Sequence, residues 1–236
     1  MIIYGPLHSR RLGKSLGINL LPEKICSLDC VYCEAGVTKN LTIQREEYIP
    51  FPAIIEDLAA KIKENPDIDY ITLCGIGEPT LYKCIGKLIQ HIKATYPSYL
   101  LCLITNSTMI VDNELQDDLL LCDLIMPSLD AVSPEVFQKI NRPHIDIDLS
   151  KMIEALIKFR EKYPGQLWLE IFFLEGINDT LEELTLLKET CQKIKPDLVQ
   201  LNSLDRNGLY DWVKKIPYNR LLEIQDFMKP LDTRIV

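Results

Sequence analysis

The 236-residue chain carries 34 Asp and Glu against 26 Lys and Arg, a net charge of −8. Such a balance disfavours nucleic acid as a partner, because a sequence-independent grip on phosphates comes from excess cations. Hydrophobic residues at 47% and charged residues at 25% are ordinary globular proportions, and no run approaches the roughly eighteen apolar residues of a membrane span. The opening MIIYGPLHSRR lacks the basic-then-apolar order of a secretory signal, so a cytoplasmic chain with reduced thiols is expected.

In chain order, SLGINLLP (residues 15–22) reads as the first strand. FPAIIEDLAAKIKENP places apolar residues at helical spacing, with Asn65 and Pro66 as its stop. DYITLCG follows as a strand, LYKCIGKLIQHIKATYP as a helix and YLLCLITN as a strand. ELQDDLLL (residues 114–121) makes a short helix before the strand DLIMPSL. Ser133 stands where its side chain can cap a helix beginning at Pro134 and Glu135, ahead of the longer helix in LSKMIEALIKFREKYP. QLWLEIFFL is then a strand, TLEELTLLKETCQKIKP a helix, DLVQLNSL a strand and YNRLLEIQDFMKP a closing helix.

Six strands alternating with helices predict parallel β/α units, and their nearly continuous apolar runs suit strands covered on both faces. A complete eight-fold barrel typically takes about 250 residues. Six units and a cysteine loop therefore predict an α/β fold of the partial, open TIM-barrel type; a doubly wound open sheet has the same rhythm. No Pro/Gly/Ser-rich linker, charge block or repeat divides the chain, which predicts one domain over residues 1–236. In either architecture ligands gather at the carboxyl ends of the strands. Those ends carry the cysteine loop, then GIGEPT (75–80), Thr105-Asn106-Ser107, Ser128-Leu129-Asp130, EGIND (175–179) and NSLDR (202–206).

Of the eight cysteines, Cys74, Cys84, Cys102, Cys122 and Cys191 are scattered through apolar runs and read as small buried hydrophobes. Cys26, Cys30 and Cys33 cluster in CSLDCVYC. A disulfide wants pairs and an oxidising compartment. Structural zinc wants four ligands, yet His8, His91 and His144 stand far off in sequence. An iron-sulfur cubane normally takes four thiolates; this loop supplies three, leaving one iron without a protein ligand and suited to binding a reactant.

The spacing C-x3-C-x2-C, with Tyr32 before its last cysteine, resembles the signature of the radical S-adenosylmethionine (SAM) superfamily. The resemblance implies a [4Fe-4S] cluster on Cys26, Cys30 and Cys33, SAM chelating the fourth iron, and Tyr32 beside the cofactor. Gly75-Ile76-Gly77-Glu78-Pro79 is similar to the superfamily's glycine-rich segment, whose backbone and acid approach the SAM amino group. The chemistry agrees, since glycines permit positive φ and close approach while Glu78 can accept hydrogen bonds from an ammonium. The Lys of a phosphate loop and the third glycine of a dinucleotide fingerprint are both missing. By the same likeness Thr105, Asn106, Ser128 and Asp130 stand where relatives contact ribose or methionine, and Asn178, with Asp179, stands near the adenine. Each of these also suits a turn or a helix cap.

SRRLGKSLGINLLP, MPSLDAVSPEVFQKINRPH and VQLNSLDR extend the resemblance to compact iron-sulfur oxidoreductases related to the tRNA wyosine-synthesising enzymes. Residues 1–25 lack the additional cysteines those enzymes carry. The resemblance implies reductive cleavage of SAM to a 5′-deoxyadenosyl radical, which takes hydrogen from a small molecule, peptide or protein. It also implies a low-potential electron donor of the flavodoxin or ferredoxin type. A tRNA-modifying enzyme and a non-catalytic iron-sulfur carrier or binding module are the alternatives. Arg10, Arg11 and Lys14 before the first strand, and Asn202, Asp205 and Arg206 after the sixth, are the candidate substrate contacts. The aromatic group from Trp168 to Phe173 reads as barrel core.

Overall fold

The structure, a computed structural model, describes residues 2–205 and 210–236. It begins with β1 (Ile3–Ser9) and β2 (Gly13–Ile18), followed by the short pair β3 (Ile25–Cys26) and β4 (Asn40–Leu41). Then come α1 (Phe51–Glu64), β5 (Tyr70–Leu73), α2 (Ile85–Thr95), β6 (Leu100–Thr105), α3 (Asn113–Leu119), β7 (Leu124–Pro127), α4 (Pro134–Asn141) and α5 (Leu149–Lys162). The chain closes with β8 (Gln166–Phe173), α6 (Leu181–Ile194), β9 (Leu198–Ser203), α7 (Tyr218–Phe227) and β10 (Thr233–Ile235). Among the described residues, no helix is long and apolar enough to cross a membrane.

One eight-stranded sheet runs β1-β2-β5-β6-β7-β8-β9-β10. Only β1 is antiparallel to its neighbour; the other pairs are parallel. Residues near one edge reach strands near the other: Arg11, between β1 and β2, bonds Glu170 of β8 and Gln200 of β9, and Arg10 pairs with Asp205 beyond β9. A flat doubly wound sheet would hold these strands apart, so the sheet is curled. Among the described residues β1 and β10 do not pair, leaving a partial TIM barrel.

The helices form the outer layer because their apolar residues repeat at three and four. In α1 the buried stripe is Phe51, Ile54, Leu58 and Ile62, each worth about 1.5–3 kcal/mol on full burial. In β8 the alternation has period two: Leu167, Leu169, Ile171 and Phe173 are fully buried, while Trp168, Glu170 and Phe172 are only partly so. The partly exposed set faces the barrel interior, where Glu170 meets Arg11. The aromatic group is therefore divided. Trp168 packs beside a small cluster of Leu12, Cys102, Leu124 and Met126, whereas Phe172 stacks on Tyr32 at the rim.

Three expectations change. Eight strands replace six, because β1 contains Gly5 and Pro6 and breaks register between Tyr4 and Leu7, erasing its alternation. β10 spans only three residues. The first predicted strand ends at Ile18 rather than Pro22; Leu20 and Leu21 are as buried as strand residues, and an apolar run cannot separate the two. Ser133 occupies the N-cap of α4 but makes no side-chain cap bond. Its hydroxyl instead donates to Glu183 Oε2 (2.6 Å), and the Val132 and Ser133 amides donate to Glu183 Oε1 (2.5 and 3.1 Å).

Candidate functional site

The cysteine loop is fastened to the rim of the barrel by backbone bonds. Cys26 lies in β3, which pairs with β4 and touches Gly77 through an Ile25–Gly77 bridge. The Asp29 and Val31 amides donate to the carbonyls of Asn141 and Ile140 at the end of α4 (3.0 and 2.9 Å). Within the loop, Thr38 donates to Asp29 Oδ1 and the Leu28 carbonyl, and the buried Lys24 ammonium donates to the Gly36 carbonyl. Such anchoring fixes the loop with few regular elements of its own.

Cys26 and Cys30 sense the other groups of the loop. Burial, then the Glu78 carboxylate, pushes the Cys26 thiol up to about 12, with Cys33 adding to the rise. Cys30 is pushed well above its ordinary value by burial, then by Asp130, Cys26 and Cys33. Asn106 Nδ2 donates to Cys26 Sγ and Asn141 Nδ2 to Cys30 Sγ, both at 3.4 Å. Coordinating thiols become thiolates beside a cationic centre, and amide donors to sulfur are the usual companions of an iron-sulfur site. This donor set fits a cubane. Among the described residues no group of three or more His, Cys, Asp or Glu side chains is placed to hold one metal ion; in a cubane the three thiols would each take a different iron. The other cysteines lie elsewhere: Cys102, Cys122 and Cys191 are buried, Cys84 precedes α2 without a side-chain cap bond, and Cys74 meets the Tyr4 hydroxyl at 2.7 Å.

Gly75 and Gly77 take φ of +144° and +114°, and the Glu78 amide donates to the Ile25 carbonyl (3.0 Å), which lays the glycine segment against the cysteine strand. Asn19 Oδ1 accepts from the Ile76 amide (3.1 Å). The Glu78 carboxylate is buried and already occupied. Oε1 accepts from the Thr80 amide and hydroxyl and from the Thr105 hydroxyl, and Oε2 from the Asn106 amide (2.7 Å). Burial raises its pKa and these bonds counter the rise. Glu78 thus ties the second and third strand ends together, with Pro79 opening a short 3-10 turn.

Residues 21–187 match the family model described as the radical SAM superfamily. The chain belongs to that superfamily. Its cofactors are a [4Fe-4S] cluster and S-adenosylmethionine. The chain is 44% identical over 204 residues to a protein named GTPase Obg from Brachyspira hyodysenteriae, covering 86% of this chain and 30% of that protein. It is 38% identical over 215 residues to a UPF0026 protein of Methanocaldococcus jannaschii, covering 90% and 66%. The chain thus spans less than a third of the first relative and about two-thirds of the second. In fold it is similar to a structure of TYW1 with a lysine-pyruvate adduct bound, with a TM-score of 0.68, 14% identity and coverage of 92% of this chain and 74% of that one.

At the rim of this radical SAM fold, the remaining expected positions separate into two groups. Tyr32 stacks on Phe172 (centroids 3.9 Å, planes 7° apart) and donates to Asp130 Oδ2 (2.5 Å). Asp130 also accepts from Asn141 Nδ2 (2.7 Å) and the Phe172 amide (2.9 Å). Burial lifts its carboxyl to about 6 against those bonds. Ser128 bridges Glu170 across the sheet, Thr105 donates to Glu78, and Asn106 links Glu78 to Cys26. These residues share one neighbourhood. Asn178 does not reach it with a free group: it is fully buried, its Nδ2 donates to the Asp130 and Phe172 carbonyls, and its Oδ1 accepts from the Leu174 amide. Its side chain braces the rim from beneath. Asp179 is likewise held, by Arg220.

The basic trio also divides. Lys14 pairs with Asp67, exposed Arg10 with Asp205, and Arg11 turns inward to Glu170. Asn202 lines the interior beside Arg11; Arg206 lies outside the described residues. Asn141 and Glu170 join the site without having been singled out in the sequence, and Phe172, read there as barrel core, joins it by stacking on Tyr32. Asn141 stands in the phrase INRPH, but only the folded helix end shows that its amide meets Cys30 and Asp130.

Proposed function

We propose that this chain is a radical SAM enzyme that removes a hydrogen atom from a small molecule, peptide or protein. The observation that carries the reading is the loop that gathers Cys26, Cys30 and Cys33 at the rim, with amide donors on two of the sulfurs. Cys26, Cys30 and Cys33 would hold the cluster, and the backbone of residues 75–79 would meet the amino acid end of SAM. When bound, cluster and SAM supply a one-electron reduction and a hydrogen-atom abstraction that no side chain here could perform alone. The chain's own residues orient and enclose. The stacked Tyr32–Phe172 pair walls one side, Asp130 and Asn141 hold that wall against Cys30, and Glu78 sets the height of the glycine segment. A low-potential flavodoxin-type or ferredoxin-type protein would supply the electron.

The test is anaerobic reconstitution followed by dithionite and SAM, with 5′-deoxyadenosine as the product measured. Release by the wild type and none by Cys30→Ala is the expected result. An intact cluster that releases no nucleoside counts against the proposal.

A further inference from the structure

The curled sheet encloses a cavity of about 340 Å³, at the small end of the roughly 300–1,000 Å³ found for small-molecule sites. It begins one residue before the glycine segment, since Cys74 is part of its wall. Two of the polar pairs lining it are spent on each other: Tyr4 Oη with Cys74 Sγ (2.7 Å) and Ser15 Oγ with Thr72 Oγ1 (2.6 Å). The groups left over include two side-chain donors. Arg11 uses Nη1 for Glu170 and for Gln200 Oε1 (3.1 Å), while Nη2 and Nε have no partner among the described residues. Asn202 uses only Oδ1, accepting from the Ser203 amide (2.8 Å), so its Nδ2 hydrogens have no partner among them either.

No Asp or Glu side chain is among the described lining residues, which also include Val236 with its main-chain carboxylate. Glu170 and Gln200 hold Arg11 at its Nη1 end. A guanidinium fixed in that way presents its Nη2–Nε edge, the edge that matches two oxygens of a carboxylate or phosphate. Fixing the fork in advance also reduces the entropy lost when a ligand binds.

We propose that this cavity is the substrate pocket and that it takes a small molecule bearing a carboxylate or phosphate, held by the free edge of Arg11 and by Asn202. To call the ligand a substrate rests on the enzyme reading above; that the cavity binds an anion does not. The volume suits a metabolite-sized ligand rather than the folded surface of a macromolecule.

The test omits SAM and dithionite, so it reads the cavity independently of the chemistry. Succinate, inorganic phosphate and the neutral isostere succinamide are titrated calorimetrically into the cluster-loaded protein. Succinate, phosphate or both should bind while succinamide does not; succinate alone assigns a carboxylate, phosphate alone a phosphate ester. Arg11→Gln and Asn202→Leu should each weaken binding at least about tenfold, equivalent to about 1.4 kcal/mol, and Lys151→Gln, on the exposed face of α5 and outside the cavity wall, by less than about threefold. Because Arg11→Gln leaves Glu170 unpaired, the double variant Arg11→Gln/Glu170→Gln, with Asn202→Leu, keeps the experiment readable if the single variant unfolds. Absence of binding by both anions, equal binding of succinamide, or full affinity in the Arg11 and Asn202 variants overturns the proposal. Anion binding without 5′-deoxyadenosine release would instead sink the enzyme reading and leave the pocket standing.

Discussion

Gly77→Ala tests whether the glycine segment depends on close approach to the cysteine strand. A Cβ at Gly77, where φ is +114°, would be driven into the Ile25 carbonyl oxygen and to 2.7 Å from Leu21 Cδ1. Positive φ costs a residue with a side chain about 1–2 kcal/mol. Displacing Ile25 also breaks the bond from the Glu78 amide to its carbonyl, worth about 1 kcal/mol net. Against this, alanine restricts the unfolded chain and returns about 0.4–1 kcal/mol. The expected loss is about 2 kcal/mol. Gly36 is the control: its φ is +83°, with nothing within 4 Å of an added Cβ, so only strain is at stake and Gly36→Ala should cost less than about 1 kcal/mol. Urea unfolding of the reduced, metal-free protein measures both, and iron bound per chain after anaerobic loading reports whether Cys26 has moved. If Gly77→Ala matches Gly36→Ala in stability and retains full iron, the close approach is not what positions the loop.

Asn141→Leu removes the amide donor to Cys30 Sγ, and because hydrogen bonds to sulfur favour the more negative reduced cluster, the midpoint potential should fall. An unchanged potential in a titration followed by electron paramagnetic resonance would refute this role. Folding raises the Asp130 carboxyl from 3.8 to about 6, so the folded chain binds that proton more tightly than the unfolded one. Its contribution to stability is therefore full below about pH 4 and declines as pH rises through 6, by an amount on the order of 3 kcal/mol. Asp130→Asn should flatten that decline in denaturation curves of the metal-free protein; an identical slope rejects the assignment. Glu183→Ala strands the Val132 and Ser133 amides and should cost about 2–4 kcal/mol, against about 1 kcal/mol for Ser133→Ala. The opposite order in urea unfolding would return the capping role to Ser133.

What the sequence determined by itself was local in character. Helical stripes such as Phe51, Ile54, Leu58 and Ile62 repeat within a few residues, so their period announces both the helix and its buried face. The β/α alternation followed from the same signal, and Cys26, Cys30 and Cys33 stand so close along the chain that their common loop needed no fold to be seen. Strand β1 escaped because Gly5 and Pro6 broke its pattern, and β10 because three residues carry no period.

Tertiary structure decided where each polar group spends its hydrogen bonds. Glu78 meets Thr105 and Asn106 across 27 and 28 residues, Asn141 meets Cys30 across 111, and Arg11 meets Glu170 across 159. A carboxylate or amide has the same composition and propensity whether it faces a ligand or a protein donor; only the curl of the sheet brings the donor. For that reason the side chains of Glu78 and Asn178, similar in sequence to cofactor contacts, bond to the chain itself, while Arg11, a candidate substrate contact in the sequence, comes to line an interior cavity.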